Sequence, residues 1–368
     1  MISFTGRMRG AVKRERAERY LLLMLLSFAT SVTGTRLFLE LTGYPQVGSS
    51  ELHIAHVLWG GLLLFIAALL PLIFANRWVY AIGALAGGVG AGLFIDEVGK
   101  FITRSNDYFY PFAAPIIYGF FLLTVLIYLS VRRESTPDAR TELYRALDGL
   151  MEVLDYDLDP GERADLEARL ARVVTQGDPP DHAHLASALL AFVRSDAIQV
   201  VPKRPAWWER LRSRALAFEA RWLTRRRMRI ILVTGMGLLG TLASLQLFVS
   251  LLALFFPDVL EAIALELLTT EQLVQGAASL AWYLVRLTLE GMLGLMMSVG
   301  AILMLWGYER PGYTLGYYGL LLALTMVNLL VFYFDQFGTI ALSMVEFALL
   351  MGLLRYRQRY LDRPESSR

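Results

Sequence analysis

"WVYAIGALAGGVGAGLFIDEVGKF", residues 78–101, is the stretch whose reading decides the fold. Up to Ile95 it holds only glycine, alanine and large apolar or aromatic side chains; then come two adjacent acids, Asp96 and Glu97, and after them Lys100. An apolar run of about 20 residues crosses a ~30 Å hydrocarbon core at ~1.5 Å rise per residue. Gly83, Gly87, Gly88 and Gly92 recur at small-xxx-small spacing, which lets a neighbouring helix approach where lipid offers no hydrophobic contrast. These glycines follow no soluble strand, so they read as packing and not as a phosphate loop. The stretch predicts a membrane helix that ends in a polar cluster.

The whole chain fits that reading. Of its 368 residues 56% are hydrophobic and 18% charged, with a mean hydropathy of +0.48, against about 45–50% and about 25% in soluble proteins. Apolar blocks of spanning length lie near 20–40, 53–75, 79–101, 109–131, 229–256, 280–307, 313–334 and 340–355. The expected architecture is all-α and polytopic, with eight transmembrane helices. Cysteine is absent, which excludes disulfides and thiolate metal sites. The net charge of +2 points to no partner.

Charge distribution sets the orientation. Basic segments occur at "GRMRGAVKRERAERY" (6–20), Arg132 and Arg133, "TRRRMR" (224–229) and "RYRQRYLDR" (355–363). Eight crossings put all of these on one side, together with the short "ANRW" and "YERPGY" turns, and the positive-inside rule makes that side cytoplasmic. Both termini are then cytoplasmic. A basic start before "LLLMLLSFATS" also fits a cleavable secretion signal, but the apolar pattern continues through "RLFLEL".

A second stretch, "NLLVFYFDQFGT" at 328–339, repeats the ending of the first. At an offset of 239, Asp96 aligns with Asp335, Gly99 with Gly338 and Glu51 with Glu290. At an offset of 210, "TGTRLFLEL" (33–41) resembles "ASLQLFVSL" (243–251). Chance easily aligns leucines, less easily two intramembrane acids and a glycine. The halves are therefore expected to be two parallel four-helix repeats, 1–131 and 229–368, related by an axis along the membrane normal. An extracytoplasmic helix near 257–275 would account for the change in offset.

Between the repeats lies a polar insert, 132–205, expected to be a small cytoplasmic helical bundle. Ser135, Thr136 and Pro137 suit a helix start, and Leu143, Leu147, Leu150, Met151 and Leu154 share one face. Acids outnumber bases there, which argues against nucleic acid as a partner, and the insert offers a surface for a protein partner. His182 and His184 read as solvated. Residues 206–228 place Trp207, Trp208, Phe218 and Trp222 among arginines, the pattern of an amphipathic helix lying on the bilayer.

Helix rise from Trp78 carries Asp96 to the outer interface. Arg36, Glu51, His53, His56, Asp96, Glu97 and Lys100 then form an outward-facing cluster. His53 and His56, three apart, with Asp96 would make a two-histidine, one-carboxylate site for a divalent metal; no other cofactor is expected, and a plain ion-pair network explains the same residues. The second half keeps Glu290 and Asp335, adds Arg286 one turn before Glu290, and has Met292, Leu295, Gln336 and Thr339 in place of His53, His56, Glu97 and Lys100. Asn328 and Glu346 lie inside apolar blocks, where an ionisable group needs a partner; Arg36, Lys100 and Arg286 are candidates.

"LHIAHVLWGGLLL", "GLFIDEVGKF" and "NDYFYPFAAPIIY" together resemble a family of uncharacterised multi-pass bacterial membrane proteins. The resemblance covers mainly the second to fourth blocks. It implies a bacterial inner-membrane location and marks Asp96, Glu97, Lys100, Asn106, Asp107 and Tyr108 as a signature, without an activity. Three functions stay open: a transporter- or channel-like protein using His and carboxylates, a scaffold or sensor acting through the insert, and an intramembrane enzyme, metal-dependent or not, on a lipid-linked substrate. The sequence sets neither a substrate nor an oligomeric state.

Overall fold

The computed structural model describes residues 11–43, 55–108, 110–133, 138–177, 179–202, 214, 217, 221–253, 256, 277–335 and 339–362. Among these every regular element is a helix. The membrane-length helices are α1 (Ala17–Thr42), α2 (His56–Ile73), α3 (Trp78–Asp96) and α5 (Ala113–Arg132), separated from a later set by the insert helices. Between α3 and α5 lies the short α4 (Val98–Ile102). The insert is α6 (Ala139–Gly149), α7 (Met151–Leu154), α8 (Pro160–Gln176) and α9 (Pro180–Arg194). The later set is α10 (Arg225–Ala253), α11 (Ala277–Leu305), α12 (Glu309–Leu322) continuing through a π-helical turn (Ala323–Val327) into α13 (Asn328–Asp335), and α14 (Ile340–Tyr356).

Among the described residues seven helices are long and apolar enough to cross a membrane, the make-up of an integral membrane protein. The eighth expected crossing is α14, whose 17 residues run on without a break into a π-helical Arg357–Leu361. The expected helix at 257–275 lies outside the described residues. So does most of the amphipathic segment 206–228, of which Arg214, Ala217, Arg221 and Trp222 are helical and residues 225–228 already belong to α10.

The chain divides into two compact units, 1–95 with 123–208, and 96–122 with 209–368. In the first, α3 carries glycine on two faces. A Cβ on Gly88 would come within 1.9 Å of Ser27 Oγ and 2.3 Å of the Met24 carbonyl oxygen, so this face lies against α1. Ser31 Oγ donates across the same contact to the Val89 carbonyl at 3.1 Å. On the other face Gly90 meets Gly60 of α2, each placed so that a Cβ would fall 2.8 Å from the other's carbonyl oxygen. Close backbone approach through small residues is how apolar helices gain contact in lipid.

The insert has its own core of Leu143, Ala146, Leu158, Leu166, Leu170, Val173, Ala186 and Val193. Asp159 caps α8 in a capping box with Glu162, satisfying the first orphan N–H groups. Two expected core positions fail: Leu147 and Leu154 are exposed. The apolar face does not run from 143 to 154 because α6 ends at Gly149 and the chain restarts as α7. The restart turns Leu154 outward.

In the second unit α10 packs on α11, α11 on α12, α12 on α14, and α14 back on α10, a closed four-helix ring. Its interior is filled by Leu232, Met236, Met297, Met304, Leu320, Leu353 and Tyr356. Gly300 and Gly312 make the α11–α12 crossing. They sit beside the Gly307 turn, whereas Gly60 and Gly90 lie away from the turn at Ala75–Arg77. The glycine crossings of α2 with α3 and of α11 with α12 thus lie at different distances from the turns that join those helices.

Polar contacts gather chain ends at one end of each unit. In the first, Lys13 Nζ donates to the carbonyls of Val131 and Arg133 at 3.4 and 3.3 Å, closing the end of α5. In the second, Glu309 at the start of α12 pairs with Arg225 (2.8 Å) and Arg229 (3.4 Å) at the start of α10. Tyr360 Oη donates to the Leu223 carbonyl at 3.0 Å, bringing the end of α14 to the same place.

Candidate functional site

The acids of the opening stretch belong to a tight turn. α3 ends at Asp96, not near 101 as the apolar block suggests, and Glu97 precedes α4. Gly99 has no room for a side chain, since a Cβ would lie 2.7 Å from the Asp107 carbonyl oxygen and 3.0 Å from that of Tyr108. That close approach lets residues 103–108 fold back over α4. Thr103 Oγ1 donates to the Gly99 carbonyl and accepts from Asp107 N–H, both at 2.8 Å. Asn106 takes a left-handed φ of 52°, which asparagine tolerates better than most residues.

The turn delivers Tyr108 Oη to Asp96 Oδ2 at 2.7 Å, and Lys100 Nζ to Glu97 Oε1 at 3.4 Å. Lys100 also lies 5.2 Å from the centre of the Tyr108 ring. Asp96 and Glu97 are buried. The signature residues Asp96, Glu97, Lys100, Asp107 and Tyr108 thus come together in one turn, in which the tyrosine hydroxyl donates to Asp96 and the lysine forms an ion pair with Glu97.

The other expected residues distribute as follows. Glu51 and His53 lie outside the described residues, so the outward cluster and the His53, His56 and Asp96 metal reading each have a member there. His56 is the first residue of α2 and half-buried, and Arg36 is buried in α1; both belong to the first unit, whereas Asp96, Glu97 and Lys100 belong to the second. Among the described residues no three His, Asp or Glu side chains are grouped to hold a metal ion. Asp335 ends α13 and is exposed. Arg286 Nε donates to Glu290 Oε1 at 3.1 Å, as their spacing suggests.

Glu346 belongs to α14. It is buried six residues into α14, roughly 9 Å along the helix from Ile340. Its partner is Asn328, whose Nδ2 donates to Glu346 Oε2 at 2.7 Å and lies 3.1 Å from Ser343 Oγ. Among the described residues Glu346 makes no ion pair, so the expected cationic partner is replaced by a carboxamide.

Backbone geometry prepares the site. In the π-helical turn the Asn328 N–H bonds to the Ala323 carbonyl, so the Leu324 carbonyl loses the partner an α-helix would give it. Tyr118 of α5 takes that place, its hydroxyl donating to Leu324 O at 2.5 Å within reach of the Asn328 side chain. Phe332 stacks on the Tyr118 ring at 4.6 Å. Single π-turns within α-helices occur often at functional sites. Sequence reasoning missed Tyr118 and Ser343; the available signals were a tyrosine in the apolar run 113–132 and the Ser343/Glu346 spacing of one turn.

A third polar assembly lies in the first unit. Arg77, in the α2–α3 turn, pairs with Glu152, Asp148 (3.7 Å) and Glu15 (3.9 Å). Arg169 reaches Glu15 at 3.0 Å, Arg16 reaches Glu162 at 3.1 Å, and Asn76 Nδ2 donates to Asp155 Oδ1 at 3.2 Å. Glu15, Arg16, Arg77, Glu152, Glu162 and Arg169 line a small charged cleft where the insert is clasped to the amino-terminal segment and the turn. Burial pushes the Glu152 carboxyl above its ordinary range despite Arg77 and Arg16. The backbone and side chain of Thr141 hold the Asp138 carboxyl, the N-cap of α6, below its own.

No family model, curated protein or solved structure matches this chain.

Proposed function

We propose that this chain is a transporter- or channel-like protein of the bacterial inner membrane, with Glu346 as the exchange site for a proton or small cation. The observation that carries the reading is the buried Asn328–Glu346 hydrogen bond, beside a π-helical turn and the Tyr118 hydroxyl. Ionisable groups at such depth are costly and tend to mark pathways. The proposal includes eight crossings in two parallel repeats, cytoplasmic termini, and membership of the family that the "GLFIDEVGKF" and "NDYFY" signature resembles. The polar contacts at chain ends support it. The different positions of the glycine crossings count against a close repeat. The Met and Leu filling of the second bundle means that any path runs alongside that bundle and not down its centre.

The test is flux in liposomes reconstituted with the purified protein, under imposed proton, sodium and potassium gradients. Flux that Glu346→Gln removes supports the reading. Liposomes no leakier than empty ones to all three cations would refute it.

A second reading, a scaffold or sensor, is favoured by the clasp. Arg77, Glu15 and Arg169 hold the insert against the turn between two membrane helices, giving a protein partner at 132–205 a route to α2 and α3.

A further inference from the structure

Helix α7 and the turn after it sort their side chains in three directions. Leu150 and Val153 pack on the insert's core. Glu152 and Asp155 reach Arg77 and Asn76 in the α2–α3 turn. Leu154 and Tyr156 go to neither, and are 77% and 71% exposed. Tyr156 holds a left-handed φ of 56°, a conformation that tyrosine rarely takes and that persists only where the surroundings over-determine it.

Where these two side chains lie follows from their neighbour. Asp155 Oδ1 and Oδ2 accept from Asn76 Nδ2 at 3.2 and 3.4 Å, and adjacent Cα atoms are only about 3.8 Å apart. Asn76 sits between the end of one membrane-length helix at Ile73 and the start of the next at Trp78. A turn that short between two spans lies at the boundary of the hydrocarbon. Phe74 and Trp78 flank it, exposed and with ring centres 5.9 Å apart, as aromatic residues do at the headgroup level. Asp155 thus holds Leu154 and Tyr156 close to the turn between α2 and α3, whose large apolar side chains are exposed.

We propose that Leu154 and Tyr156 enter the interfacial layer of the bilayer beside the α2–α3 turn, which makes lipid a binding partner of the insert. An aliphatic side chain beside a tyrosine suits that layer, since the ring takes the apolar side and the hydroxyl stays wet. The clasp then has two parts. Ion pairs hold the insert to protein, and this pair of side chains holds it to lipid.

The chain has no cysteine, so Leu154→Cys and Tyr156→Cys each accept a single spin label in the full-length protein. Both side chains are exposed and leave no core cavity, and the two positions report independently. In nanodiscs of phosphatidylethanolamine and phosphatidylglycerol, power saturation compares collisions with oxygen, which concentrates in lipid, and with a water-soluble nickel chelate. The expected result is oxygen-dominated relaxation at both sites, approaching that of a label at Leu72→Cys on the lipid-facing surface of α2. Nickel-dominated relaxation would place the side chains in water and overturn the proposal. Labels reached by neither reagent would overturn it as well, by showing protein over these positions.

Discussion

Asn328 Nδ2 donates to Glu346 Oε2 at 2.7 Å, from α13 to α14. A carboxamide offers an uncharged donor, so it satisfies the carboxyl without cancelling its capacity to bind a cation or a proton. Asn328→Ala should leave Glu346 without that donor at a cost of about 1–3 kcal/mol, while Glu346→Gln keeps an oxygen acceptor facing Asn328. Thermal unfolding in detergent should show the alanine variant to be the less stable of the two. Equal stability would mean that the bond contributes little.

The signature turn should be rigid. Gly99→Ala places a Cβ against two carbonyl oxygens and should open the turn, exposing the amides of 103–108 to hydrogen exchange. Tyr108→Phe removes only the hydroxyl that Asp96 accepts, a loss of about 1–3 kcal/mol, and should raise exchange over the same residues less. Protection unchanged in both variants would rule out the turn as described.

Glycine substitutions in the first unit should divide by contact. Gly88→Ala meets Ser27 Oγ and the Met24 carbonyl and should destabilise by about 1–3 kcal/mol, the usual cost of overpacking. Gly61→Ala, with nothing within 4 Å, should be neutral or stabilise by about 0.5–1 kcal/mol through helix propensity. Melting of the two variants side by side checks the contrast.

Docking of the insert should respond to acid through Glu152. Burial raises its folded-state pKa above the ordinary value of 4.5, with Glu162 and Asp157 acting in the same direction against Arg77 and Arg16. The docked state therefore binds a proton more readily than the free one. This contribution penalises docking above the raised pKa, and the penalty disappears as pH falls through it toward the ordinary value. Spin labels at Leu72→Cys and Leu185→Cys should give a narrower distance distribution as pH falls through that window. Glu152→Gln should flatten this part of the response.

The helices of the membrane were legible because their signal is length and apolarity, which need no tertiary information. Seven proposed blocks match helices of spanning length, whereas in the insert the expected start at Ser135, Thr136 and Pro137 lies outside the described residues and the first helix runs from Ala139, capped by Asp138, only to Gly149. The polar partners were not legible. Arg286 and Glu290 were found because one turn of helix joins them. Tyr118 and Leu324 are 206 positions apart, and nothing in residues 113–132 alone says that a π-turn far downstream exposes a carbonyl to it. Leu154 misled because a continuous 3.6-residue period was assumed across Gly149.

The division of the chain also has a consequence for biosynthesis. Residues 96–122 group with 209–368, and residues 123–208 group back with 1–95, so neither unit is made from one uninterrupted stretch. At ~5–20 residues per second, Tyr118 leaves the ribosome roughly 10–40 s before Leu324 does. During that interval α5 sits in the bilayer with its hydroxyl lacking its eventual acceptor. A gene cut between the halves would strand 96–122 without the helices they pack on, and the amino-terminal product should be a substrate for membrane proteases until its carboxy-terminal counterpart is supplied.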